Sequence, residues 1–321
     1  MRLIRTAAAA TGFAMLAMAG AHAQVSGEPI RIVSPYPAGG VGDATARMLA
    51  EHMRTTFERP VIVENKPGAA GRLGVQFVKD APANGDVLLF VPIAPMVMFP
   101  HVYEKLGYDA AADFAPISQI ATFDLGVAVG SSVPAKSLKE LVDWLRANPN
   151  QATYGTPAAG SLPHFFAVLF ARAANLDLRH VAYKGNPQAI SDLIGGHLPI
   201  FFTSTQDLVE THIAGRIRVL ATAGSKRSTL LSDVPTFAEA GYAIRGHGWY
   251  GLYAPAKTAP EVVARLSAAA VAAVRKPEVQ SRLIAWGLQP TGSSPAELAE
   301  IQRADSEFWG PIVKASGFRP D

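Results

Sequence analysis

The sequence predicts an α/β chain of two lobes joined by two crossover strands. Three observations lead there. Short apolar or β-branched strands alternate with helical patterns from one end to the other, as in parallel α/β architecture. Two extended apolar stretches, Thr122 to Val129 and Gly248 to Ala254, each follow a long α/β run, as expected of a chain that leaves one lobe and later returns to it. A strand running into a glycine-rich loop that opens a helix occurs twice, at Ile32 to Asp43 and at Tyr154 to His164.

At the N-terminus, Arg2 and Arg5 precede a mostly apolar run from Ala7 to Ala19, and Ala21-His22-Ala23 supplies the small-x-small pattern of a signal peptidase site. Cleavage after Ala23 is expected. The run is shorter than the ~20 apolar residues of a membrane span, and no later segment is apolar enough to span. The mature chain of 298 residues (321 less 23) is therefore expected to be exported and not membrane-spanning, with length for two separate cores. Removing the signal removes Arg2 and Arg5, so 29 basic against 26 acidic residues become 27 against 26. The sequence pI of 9.1 thus does not announce a nucleic-acid binder, since no stripe of Lys and Arg alternates with aromatics. Zero cysteines exclude disulfides, thiolate nucleophiles and Cys-based metal sites.

Strands are predicted at Ile30 to Ser34, Pro60 to Glu64, Val87 to Val91, Asp124 to Val129, Ala152 to Gly155, Arg179 to Tyr183, Leu198 to Phe202 and Ile217 to Ala221. In the first helix Leu49, Met53 and Phe57 recur four apart and form one buried stripe. Capping boxes at Ser137/Glu140, Thr236/Glu239 and Ser294/Glu297 mark helix starts, the last with proline at the first helical position. Val263, Leu266, Ala270 and Val274 trace a further stripe, on helices expected to pack back on the first lobe. The lobes are then residues 24–121 with 250–321, and residues 122–249.

The two glycine loops fit a clamp on an anion. A helix N-terminus leaves its first N–H groups unpaired and carries partial positive charge, so a closely approaching loop offers several donors to a carboxylate or phosphate. The first loop lacks the lysine and Ser/Thr of a P-loop. Gly39, Gly40 and Gly42 let its backbone curl, and Asp43 is placed to cap the helix, which would keep its charge from repelling an anion. An ordinary strand-to-helix turn would look the same. The second loop offers Gly155, Thr156, Gly160 and Ser161, with Ser161 either capping the helix or meeting a ligand. His164 lies in the first turn, where it is either a neutral orienting group or a histidine satisfied by the loop backbone. Tyr183-Lys184-Gly185 and Thr203-Ser204-Thr205-Gln206-Asp207 close two more strands and form the expected pocket floor, where the hydroxyls of Thr203, Ser204 and Thr205 either read a polar substituent or one of them caps the helix that follows. Lys184 reads more readily as a solvated charge than as a contact.

No His-Glu-x-x-His occurs, and His164, His180, His197 and His212 are spread through different elements, so no metal is expected. No Gly-x-Ser-x-Gly elbow occurs either. Catalysis has no local support, and no cofactor is expected. A Ser161–His164 hydrolase pair is the enzymatic alternative.

These residues resemble the tripartite tricarboxylate transporter substrate-binding proteins, the Bug or TctC family. The resemblance rests on Pro35-Tyr36-Pro37-Ala38-Gly39-Gly40 with Asp43 and Ala46-Arg47, and on Val63-Glu64-Asn65-Lys66-Pro67-Gly68-Ala69-Ala70-Gly71. It continues through Tyr154-Gly155 with Gly160-Ser161 and His164, His180 to Gly185, Asp192 to Gly196, and Asp233 to Gly241. It implies a periplasmic type II "Venus flytrap", a monomer that binds a small organic carboxylate, often through waters, and hands it to a membrane permease or signals its presence to a partner. It places ligand contacts on Tyr36, Ala38, Gly39, Gly40 and Asp43, on Gly155, Thr156, Gly160, Ser161 and His164, and on Thr203, Ser204, Thr205 and Asp207. The chain departs from the family at Asn84-Gly85-Asp86-Val87 and at Val91-Pro92-Ile93-Ala94-Pro95-Met96. The second segment, where small polar residues are usual, would make one wall less polar than a citrate-like ligand needs. A monocarboxylate or aromatic carboxylate is the expected ligand.

Overall fold

The computed structural model describes residues 27–244 and 246–320. The expected signal segment and its cleavage site after Ala23 lie outside the described residues. The chain runs β1 (Ile30–Ser34), α1 (Val41–Phe57), β2 (Val61–Asn65), α2 (Arg72–Lys79), β3 (Val87–Pro92), α3 (Ile93–Val97), α4 (Phe99–Val102) and then β4 (Phe114–Val129). It continues through α5 (Leu138–Ala147), β5 (Thr153–Thr156), α6 (Leu162–Ala173), β6 (Arg179–Ala182), α7 (Asn186–Ile194), β7 (Ile200–Ser204), α8 (Val209–Ile213) and β8 (Arg218–Thr222). It returns along β9 (His247–Pro255) and ends with α9 (Pro260–Val274), α10 (Pro277–Ala285), β10 (Gln289–Pro290) and α11 (Pro295–Ser316).

Period-two burial explains the first lobe. In β1, Ile30 and Ile32 pack under α1 and α9 while Val33 faces the opposite core; in β3, Leu88 and Phe90 take the first side and Val87, Leu89 and Val91 the second. A strand covered on both faces reads as a continuous apolar run. Strand order in this lobe is β2-β1-β3-β9-β4, with β10 on the far side of β4. In the second lobe β7 and β8 flank β4, and β5 and β6 follow β7.

The strand β4 belongs to both lobes. Phe114 to Asp124 pair with β9, whereas Leu125 to Val129 pair with β7, so the sheet changes partners between Asp124 and Leu125. Pairings within each lobe are parallel for β1–β2, β1–β3, β5–β6 and β5–β7, as expected, but the two crossing strands are antiparallel. They must be, because one carries the chain out and the other brings it back. The C-terminal helix α11 packs on the first lobe through Tyr253 Oη donating to Gln302 Oε1 at 2.9 Å and Trp249 Nε1 donating to Asp305 Oδ2 at 2.7 Å. Its end reaches further than expected: Arg172 of α6 donates to the Ala315 carbonyl, and Phe318 meets His164 edge-on at 4.8 Å.

Two of the three capping boxes open helices. Ser294 and Glu297 exchange both bonds at the start of α11, and Ser137 caps α5, although Glu140 there takes the N–H of Lys136. The Thr236/Glu239 box forms both bonds yet opens no helix. Phe237 N–H is held by the carbonyl of Thr222 and Gly241 follows at φ +90°, so the turn ends there. Among the described residues no helix is long and apolar enough to cross a membrane.

Candidate functional site: a cleft between the lobes

A cleft of about 590 Å³ lies where β4 changes partners, lined from both lobes. That volume is in the range of small-molecule sites. Its first wall is the β1–α1 loop. Gly40 is the N-cap residue of α1 and no side chain caps the helix. Asp43 is the third residue of α1 and not its N-cap, a correction to the sequence reading. From there its carboxylate reaches back: Oδ2 accepts the Gly39 N–H at 3.1 Å and Arg47 Nε at 3.0 Å, and Oδ1 accepts Asn65 Nδ2 at 2.9 Å. Burial raises this carboxyl, but bonds from Arg47, Asn65 and Gly39 outweigh it and hold it below its usual range. The charge is thus spent on shaping the loop. Gly42 abuts Tyr250, whose ring carbon Cε1 lies 3.0 Å from where a Cβ would stand.

The second lobe supplies two more uncapped helix starts. Ser161 is the N-cap residue of α6, yet its hydroxyl donates to the Ala158 carbonyl at 2.7 Å and does not cap the helix. Gly185, at φ +109°, precedes α7, whose first residue Asn186 faces the cleft. Thr203 Oγ1 donates to Asn186 Oδ1 at 2.9 Å, tying the end of β7 to that helix. Three sets of free backbone N–H groups, from α1, α6 and α7, therefore border one cavity. Lys184 is the one basic side chain among the described residues that line it.

Of the expected contacts, Tyr36, Gly40, Asp43, Ser161, Thr203, Ser204 and Asp207 line the cleft. The others do not. Gly39 gives its N–H to Asp43, and the neighbouring Ala38 is exposed beside the cavity. Gly155 is buried where Leu198 and Tyr183 leave no room for a Cβ, at 2.7 and 3.0 Å. Thr156 bonds the Ala158 carbonyl and His180 Nε2, and Gly160 turns at φ +71° against Phe318. Thr205 is buried with its hydroxyl beside Gly126. His164 accepts the Gly160 N–H at 3.1 Å and stacks on His180 at 3.9 Å, away from the cavity. Burial drives His164 down to about 3, with the neighbouring His180 adding to it, and burial drives His180 down to about 4, so the pair is neutral. Ser161 and His164 each bond the loop backbone and not each other, so the hydrolase pair is not assembled. Among the described residues no cluster of three or more His, Asp or Glu is arranged to hold a metal.

The sequence reading passed over most of the apolar wall. Phe90, Phe99, Phe123 and Tyr250 line the cleft with Pro92, Ile93 and Ala94, the segment that departs from the family pattern. Phe90 and Tyr250 stack at 5.3 Å, and Phe123 tilts onto Tyr250 at 5.1 Å. The signal for α7 was present in Gly185-Asn186-Pro187, a glycine followed by proline in the first turn.

Asp207 is the unusual group. Burial pushes its carboxyl up from 3.8 to about 6, against the opposing hydrogen bonding of Asn186 and Thr203. The folded chain thus holds that proton more tightly than the unfolded one, so stability is lost as pH rises from about 4 to about 6 and stays lost above. Asp207→Asn should raise stability by on the order of 1 to 3 kcal/mol at pH 7.5 and by little near pH 4. Urea melts at the two pH values check this; an equal effect at both would refute it.

The family described as "Tripartite tricarboxylate transporter family receptor", TctC, matches residues 45–318. The Bordetella pertussis protein BugT is 28% identical over 309 residues, covering 94% of this chain and 95% of its own. Among solved structures, R. palustris Rpa4515 with adipate aligns with a TM-score of 0.85 at 28% identity, over 91% of this chain and 98% of that one. MatC from Rhodopseudomonas palustris with bound malate aligns at 0.80 and 26%, over 89% and 98%. The two-lobed architecture is that of periplasmic binding proteins. With a family match spanning most of its length, this chain belongs to the tripartite tricarboxylate transporter family receptors, the TctC or Bug-type periplasmic solute-binding proteins.

Proposed function

We propose that the protein acts in the periplasm as a monomer, captures a small organic carboxylate in the cleft and delivers it to a membrane permease of the tripartite tricarboxylate type. The observation that carries this reading is the meeting of three uncapped helix N-termini, from opposite lobes, on one cavity. Charge-assisted hydrogen bonds contribute roughly 1.5 to 3 kcal/mol each, and micromolar binding requires about 8 kcal/mol. Four to six donors, roughly, supply that after closure and desolvation have taken their share. Adipate and malate in the two structural relatives are carboxylates of suitable size.

Residues 24–121 with 250–321 would close as one body on residues 122–249, hinged at the crossing strands. A ligand drives that motion only if it contacts both bodies, because one held equally by open and closed forms shifts nothing. The Phe90, Phe99, Phe123 and Tyr250 wall favours an apolar or aromatic body over a citrate-like polyanion. Thermal-shift and small-angle scattering measurements test both points. Benzoate or a medium-chain monocarboxylate should raise the melting temperature and shrink the radius of gyration more than citrate or malate does. Stabilisation by citrate or malate but not by aromatic acids would overturn the apolar assignment, and indifference to all of them would overturn carboxylate capture.

A further inference from the structure

The cleft floor carries a buried acceptor without a partner, Gln206 Oε1, beside a carboxylate, Asp207, that only neutral groups of the protein hydrogen-bond. Asp207 sits there with Asn186 and Thr203 as the polar groups acting on it, and no basic side chain is among them. Asn186 and Thr203 are neutral, and Thr203 Oγ1 also donates to Asn186 Oδ1, so their hydrogen bonds lessen the cost of burying the Asp207 carboxylate without countering its charge. Beside it, Gln206 lines the same floor with its side-chain oxygen Oε1 buried and without a partner. Tyr250 joins the two: its phenol is raised by burial and then by the Asp207 charge, with Gln206 acting the other way. A buried carboxylate without a cationic partner and a buried carbonyl without a donor are each costly, and a ligand group that donates to both relieves both costs at once. A second carboxylate would do the opposite, since it brings only acceptors and a like charge into a desolvated site.

Resting on the carboxylate reading above, we propose that the ligand is a carboxylate whose other polar end is a hydrogen-bond donor, an ammonium or a hydroxyl, and that Asp207 with Gln206 selects it against dicarboxylates. One carboxylate meets the helix N-termini, the body lies on the aromatic wall, and the donor reaches the floor. The site is thereby matched to ω-amino or hydroxy acids in preference to diacids of the same length. Removing the Asp207 charge should remove that preference.

Titration calorimetry at pH 7.5 on matched ligands tests this, using 6-aminohexanoate, 6-hydroxyhexanoate and adipate, and 4-(aminomethyl)benzoate, 4-hydroxybenzoate and terephthalate. Two series of different shape keep ligand fit from masking the end-group effect. In at least one series the donor-ended acids should bind the wild-type protein at least tenfold more tightly than the diacid. Asp207→Asn, checked for folding by its thermal melt, should cut that ratio to threefold or less. Diacids binding as tightly as donor-ended acids to the wild type would overturn the inference and leave carboxylate capture standing. An undiminished preference in Asp207→Asn would overturn the role of Asp207. Failure of every acid in both series to bind would overturn the inference together with the functional reading beneath it.

Discussion

Gly40→Val should abolish ligand-induced stabilisation while the free protein melts within a few degrees of wild type. The substitution is expected to be structurally quiet. Gly40 has φ −84° and ψ 169°, an extended conformation that valine adopts readily, and no atom lies within 4 Å of where its Cβ would stand. The remaining cost is that of a poor N-cap residue, about 1 kcal/mol. The open space is, however, the cleft itself, directly before the free N–H groups of α1. Filling it with an isopropyl group keeps a carboxylate from reaching two or more donors, a loss of about 3 kcal/mol or more, and so of at least about 100-fold in affinity. Ser161→Ala, on the opposite wall, should weaken binding less, by about tenfold, because that hydroxyl donates to the Ala158 carbonyl and shapes the loop. Calorimetry with whichever acid stabilises the wild type gives both numbers. Normal binding by both variants would mean that the anion lies elsewhere.

What the sequence disclosed and withheld follows from the range of the forces involved. Strands β1 and β3 were legible to within a residue because both faces are covered, which leaves an unbroken β-branched and apolar run. The first half of β4 was not. Pro116, Ser118 and Gln119 interrupt it, and the register shifts twice along that stretch. The backbone of that stretch is held by β10 and the residues after it, from far along the chain: Gly292 N–H, Ser293 N–H and Thr291 Oγ1 all donate to the Gln119 carbonyl, and the Gln119 N–H donates to Ser293 Oγ. A partner over 170 residues away leaves no local pattern.

The same reasoning divides the site residues. That loops would turn at Gly39 to Gly40 and at Gly160 to Ser161 is local chemistry and could be read. Which side of each loop would face the cavity depends on what packs behind it. His164 turns inward because His180, Phe165 and Phe318 surround it, and those neighbours come from β6, α6 and the end of the chain. The aromatic wall was missed for a related reason. Phe90, Phe123 and Tyr250 sit on three strands that become neighbours only when the return strand β9 inserts between β3 and β4.

That insertion is where the second large effect is expected: Gly248→Val should destabilise the protein by about 3 kcal/mol and also cost at least tenfold in ligand affinity. Gly248 stands opposite Phe123 on the paired crossing strands, and a Cβ there would lie 2.2 Å from ring atoms Cε2 and Cζ of Phe123. Glycine is required because the ring lies across its backbone. Added carbon must drive Phe123 off the sheet, and the open side is the cleft, where Phe123 already tilts against Tyr250. One displacement therefore strains the crossing strands and fills the cleft. A loss of this size should lower the melting temperature by roughly 6 to 12 °C in a chain of this length. Phe123→Ala alone should cost about 3 kcal/mol or more by leaving a cavity. In the double variant the valine occupies space that the ring has vacated, so the two losses should fall short of their sum by 1 kcal/mol or more. Strictly additive losses would mean that the ring and the glycine do not share the space between the crossing strands.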